Sequence, residues 1–170
     1  MKNSVALIGF MGTGKTAVGK ALAERLGKEF IELDALIEKK AGKPIPEIFA
    51  QGGEIVFREL EIAATRVVAG RKNVVVACGG GIVLNRINID RLKQECIIVY
   101  LKATPGVIWK RVSRGAAVRP LLDVDNPRLR IREMLKFRKP LYEHAADIII
   151  DTSKLDVDSV VEEIIKRLKE

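Results

Sequence analysis

Between an apolar run, Val5–Phe10, and a helical pattern, Lys15–Leu26, the chain reads GFMGTGKT from Gly9 to Thr16. This is the spacing G-x-x-x-x-G-K-[ST], placed where that motif works, after a strand and before a helix. Its glycines let successive backbone N–H groups turn inward around phosphate oxygens, and the helix N-terminus adds a favourable dipole. In such a loop the lysine, here Lys15, reaches the β- and γ-phosphates, and the Thr16 hydroxyl ligates Mg²⁺. Gly12, Thr13, Gly14, Lys15, Thr16 and Ala17 are therefore the expected nucleotide-binding residues, with ATP and Mg²⁺ as the ligands. A chance glycine turn is the plainer alternative. With glycine near 7% of residues, a four-position match arises only about once in ten thousand windows.

A strand that feeds such a loop predicts an α/β fold, and the rest of the chain keeps the alternation. Strands are expected over 29–34 (EFIELD), 73–78, 96–101 (CIIVYL) and 147–151 (DIIID). Helices are expected over 35–41, from near Pro46, from about Glu54 to Ala69, from Pro105 to about Val112, from Pro127 to about Phe137, and over 157–168. The pattern predicts a parallel sheet covered on both faces, in a single domain spanning 1–170. Residues of about 113–126, SRGAAVRPLLDVDN, are too rich in Gly, Pro and charge for a core element and read as a mobile lid.

Composition narrows the partners. The chain is 48% hydrophobic and 31% charged, with no apolar run long enough to span a bilayer, so no membrane partner is expected. No signal peptide is visible, and the expected location is the cytoplasm. Cys78 and Cys96 have no metal-ligand spacing and read as reduced core thiols. The net charge is +8, and ten Lys/Arg against three Asp/Glu between 110 and 139 account for nearly all of it. Such a concentration implies an anionic partner. Aromatic residues are only 5% of the chain, too few for a stacking platform, so a small polyanion is expected and nucleic acid is not.

Several polar groups remain. Glu32 and Asp34 fall two apart at the end of the second strand, on one face if extended. One could help hold Mg²⁺ and the other accept a substrate hydroxyl proton, or Asp34 could simply cap the next helix. Arg58 and Glu61 are three apart on a helix, the spacing of an ordinary surface ion pair. Gly79, Gly80 and Gly81 end a core strand, which suggests a close approach to the backbone. His144, the single histidine, reads as surface or packing rather than catalytic.

In order, GFMGTGKT, ELDALIE, GEIVFRELE, GGG, RPLL (119–122), RKPLY (138–142) and DIIIDTS closely resemble the shikimate kinase family over essentially the full chain. The resemblance implies transfer of the ATP γ-phosphoryl group to the 3-hydroxyl of shikimate. It implies a three-layer α/β/α fold with a five-stranded parallel sheet, like the nucleoside monophosphate kinases, with an acceptor-binding segment at about 34–61. By the same resemblance Asp34 takes the reacting proton, while Arg58 and Arg138 grip the shikimate carboxylate. Gly79–Gly81 line the ring site, Arg119 swings in with the lid as a catalytic residue beside Lys15 and Asp34, and Arg111 with the turn after Asp151 borders the adenine. The family's usual Asp-x-Asp is Glu32-x-Asp34 here, one methylene longer at its first carboxylate. A monomer is expected. The alternatives are another small P-loop kinase, acting on gluconate or a nucleoside monophosphate, or a non-catalytic nucleic-acid or protein partner retaining an ATP site.

Overall fold

A computed structural model describes residues 1–115 and 119–170. The first apolar run becomes β1 (Ser4–Ile8), buried at every residue. It lies at the centre of an all-parallel sheet, with β3 (Val74–Ala77) and then β2 (Glu29–Glu32) on one side and β4 (Cys96–Lys102) and then β5 (Ile148–Asp151) on the other. Alternate side chains of each strand face opposite layers. Val5, Leu7, Val75, Val99 and Leu101 pack with α1 (Lys15–Leu26) and α7 (Val157–Leu168). Ala6, Ile8, Val76, Ile98 and Tyr100 pack under α2 (Leu33–Ala41), α3 (Ile45–Ala69), α4 (Arg86–Glu95), α5 (Pro105–Arg114) and α6 (Pro127–Ala145). The expected three-layer α/β/α fold with five parallel strands is what forms.

Some boundaries differ for physical reasons. β2 stops at Glu32 and the chain turns helical at Leu33, so Asp34 sits in the first turn of α2 and the extended Glu32–Asp34 pair does not exist. The two helical pieces expected after Pro46 join as α3 across Gly53, whose backbone (φ 76°, ψ −179°) bends the helix there. Helix α4 is absent from the sequence expectation because it is mostly polar, burying only Asn88, Ile89 and Leu92. Helix α6 does not stop near Phe137 but runs through Pro140 to Ala145. Its buried stripe Leu135, Arg138, Tyr142 and Ala145 holds it against the core, which offsets the missing proline hydrogen bond.

Of the expected lid, Ser113 and Arg114 close α5 and Pro120–Leu122 form a 3₁₀ turn with Leu122 buried. Residues 116–118 lie outside the described residues. Among the described residues no helix is long and apolar enough to cross a membrane.

Candidate active site

The carboxyl ends of parallel strands in a doubly wound sheet are where ligands bind, at the point where strand order reverses. Here that point is the end of β1, and a cleft of about 660 Å³ opens above it. The loop from β1 to α1 forms one wall, the segment from α2 to the middle of α3 a second, and Arg119–Leu121 a third.

In the phosphate loop, Gly9, Gly12 and Gly14 all have positive φ (148°, 79° and 94°), so this backbone path excludes ordinary side chains at three points. Gly12, Gly14, Lys15, Thr16 and Ala17 line the cleft. Thr13 differs: it is buried, and its hydroxyl donates to the Phe10 carbonyl at 2.8 Å, so only its backbone could address a ligand. The Lys15 ammonium donates to the carbonyls of Gly9 (2.6 Å) and Phe10 (2.9 Å). Burial lowers its pKa to about 8, against the opposing pull of Asp34.

Across the cleft, Asp34 Oδ1 and Glu61 Oε2 are buried side-chain oxygens without a hydrogen-bond partner among the described residues. Burial raises the pKa of both carboxyls, with Lys15 opposing at Asp34 and Arg58 opposing at Glu61. The N-cap of α2 is Glu32 and Asp34 lies inside the first turn, so the helix-cap alternative does not describe Asp34. Nor is the Arg58–Glu61 pair a surface one. Glu61 is fully buried, its Oε1 accepting from Arg58 Nη1 at 3.1 Å, while Glu54 Oε2 accepts from Arg58 Nε at 3.1 Å. Two carboxylates thus orient one guanidinium at the cleft wall.

Arg138 also lines the cleft, only 5% exposed and 5.8 Å from the Phe10 ring centroid, with no carboxylate partner among the described residues. Arg119 lines it from the far side. Arg111 stands apart: it donates to Gly12 O (3.2 Å), Thr152 Oγ1 (3.1 Å) and Thr152 O (2.9 Å), tying the phosphate loop to the turn after β5. The three glycines after β3 line the cleft too, but a Cβ there would first meet the protein's own groups. At Gly79 it would lie 2.8 Å from Asp34 Oδ1, and at Gly81 it would overlap the Arg58 guanidinium. Gly79 and Gly81 thus leave room for Asp34 and Arg58.

The sequence places Glu61 on a helix without showing its burial, and the expected end of α6 near Phe137 left Arg138 and Tyr142 beyond the helix that in fact buries them. The signal was present. Phe57, Glu61, Ala64 and Val68 follow the i, i+4, i+7, i+11 stripe of a buried face, so a charge at 61 falls in the core.

The oxygen donors facing the loop are the Thr16 hydroxyl and the carboxylates of Glu32 and Asp34. No group of three or more His, Cys, Asp or Glu among the described residues could hold a metal alone. Few, hard donors fit Mg²⁺, which keeps waters and is shared with substrate phosphates.

A phosphate loop beneath a cleft that also presents buried acid and two arginines, on a parallel α/β/α scaffold, defines a P-loop kinase. The shikimate kinase family model matches residues 11–169. A shikimate kinase of Thermodesulfovibrio yellowstonii is 48% identical over 98% of this chain and 94% of its own length. The solved structure of shikimate kinase from Acinetobacter baumannii in complex with shikimate superposes with a TM-score of 0.94 at 39% identity, covering 99% of this chain and 93% of that one. A gluconokinase from Sinorhizobium meliloti, at 22% identity and a TM-score of 0.62, shares the fold alone. The chain belongs to the shikimate kinase family.

Proposed function

We propose that this protein transfers the γ-phosphoryl group of ATP to the 3-hydroxyl of shikimate, giving shikimate 3-phosphate and ADP. The observation that carries the reading is Arg138, a nearly buried guanidinium without a carboxylate partner among the described residues, in the same cleft as Arg58. Two forked donors beside an unpartnered buried carboxylate fit a small carboxylated polyol. The solved relative with shikimate bound supports this acceptor.

Phosphoryl transfer asks the protein mainly for position and charge stabilisation. Arg58 and Arg138 hold the acceptor's carboxylate, and Asp34 accepts the hydroxyl proton as the oxygen attacks. The raised pKa of Asp34 suits a base working near neutrality. Lys15 leaves the loop carbonyls for the β- and γ-phosphates, and Arg119 covers the transferring group. Mg²⁺, held by Thr16 with Glu32 nearby, supplies neutralisation of phosphate charge when bound. Arg111, its Nη1 and Nη2 tied to Gly12 and Thr152, presents its planar face beside the adenine.

ADP release over a panel of shikimate, gluconate and nucleoside monophosphates tests the assignment. Turnover is expected with shikimate; turnover with a nucleotide or gluconate and none with shikimate refutes it. One chain supplies every cleft wall, so the protein is proposed to act as a monomer, in the cytoplasm. A dimer mass by light scattering, with activity lost on dilution to monomer, would contradict this.

A further inference from the structure

Tyr142 belongs to none of the groups considered above, yet it is fully buried and touches two sides of the acceptor cleft. It follows Arg138 by four residues on α6, which puts both on one face of the helix. Its hydroxyl donates to the Gly80 carbonyl at 2.5 Å, in the turn after β3. The Arg138 charge opposes the burial that pushes the phenol's pKa up. The ring stacks on Tyr100 of β4, with centroids 5.0 Å apart and planes at 23°, so the hydroxyl is held by rigid elements.

The consequence lies in the Gly80–Gly81 peptide. A trans peptide is planar, with its C=O and N–H pointing in opposite directions. Fixing the Gly80 carbonyl on Tyr142 therefore aims the Gly81 N–H the other way. That N–H donates to no protein group among the described residues, and Gly81 lines the cleft against the Arg58 guanidinium. One phenol hydroxyl thus sets the direction of a backbone donor in the cleft wall.

We infer that Tyr142 is a positioning residue for the acceptor, aiming the Gly81 N–H at the substrate's carboxylate. This rests on the shikimate reading given above.

Tyr142→Phe removes the hydroxyl and keeps the ring stack. The KM for shikimate is expected to rise about tenfold or more, the loss of a hydrogen bond to a charged centre. The KM for ATP should stay within about twofold, because the nucleotide side is untouched. Calorimetric affinity should fall for shikimate much more than for its carboxamide, a selectivity that general loosening of the fold would not produce. A shikimate KM within twofold of the unsubstituted protein, or equal losses for both ligands, overturns the proposal.

In the unsubstituted protein, hydrogen exchange at the Gly81 amide decides the matter without any variant. Exchange should slow markedly when shikimate is added to the ADP complex, and unchanged exchange overturns the proposal even if the variant fails to fold. No turnover of shikimate by the unsubstituted protein would instead remove the underlying reading, and this inference with it.

Discussion

At the scale of single residues, the cleft is organised by charged groups held out of water. Lys15 shows the consequence for pH. Its folded pKa is lowered to about 8, whereas the unfolded chain keeps the proton to the ordinary 10.5. Between these values the unfolded state binds more protons, so this group makes the ligand-free protein more stable as pH rises through the window. A polyphosphate beside the ammonium acts in the opposite direction and restores the proton. Binding of ADP near pH 8.5 should therefore take up a substantial fraction of a proton. Calorimetry in two buffers of different ionisation enthalpy reads this directly, and buffer-independent heats would show that Lys15 does not change charge. The same economy of space explains Gly79 and Gly81, whose missing side chains accommodate Asp34 and Arg58.

Helix α3 carries one wall of the cleft, and Gly53 is its joint. The φ of 76° with ψ near 180° is a region essentially restricted to glycine, costing other residues about 1–3 kcal/mol. A Cβ there would meet nothing within 4 Å, so the penalty is backbone alone. Gly53→Ala should lower the Tm by several degrees, at about 2–4 °C per kcal/mol for a domain of this size. If alanine's helix propensity dominated instead, thermal melting followed by circular dichroism would show Tm unchanged or raised. The elements themselves were largely legible in sequence. Helices α1 and α7 begin and end where their periodicity predicts, and Gly27 closes α1 with a left-handed φ of 64°. What escaped was tertiary in origin. Helix α4 has too few apolar positions to show a face, Pro140 is tolerated in α6 because the buried stripe continues past it, and the Glu32–Asp34 register was lost where β2 ended early. Within the site, the phosphate loop was readable because its spacing is local. The burial of Glu61 and the Tyr142–Gly80 contact depend on residues 62 positions apart or on a helix face, so composition alone did not reveal them.

For the whole molecule, the sheet brings to one cleft the phosphate loop at the end of β1 and the pair Arg58 and Arg138 arriving from α3 and α6. The excess positive charge between 110 and 139 is in keeping with this, since Arg111, Arg119 and Arg138 all come from that window. In the proposed complex the acceptor's carboxylate lies between Arg58 and Arg138, with a ring hydroxyl on Asp34. A crystal structure of the protein with shikimate and ADP tests it most directly. The predicted result is a carboxylate contacted by both guanidinium groups, with a hydroxyl within hydrogen-bond distance of Asp34 and facing the phosphate loop. A carboxylate bound by other residues, or a ring turned so that no hydroxyl reaches Asp34, would contradict it.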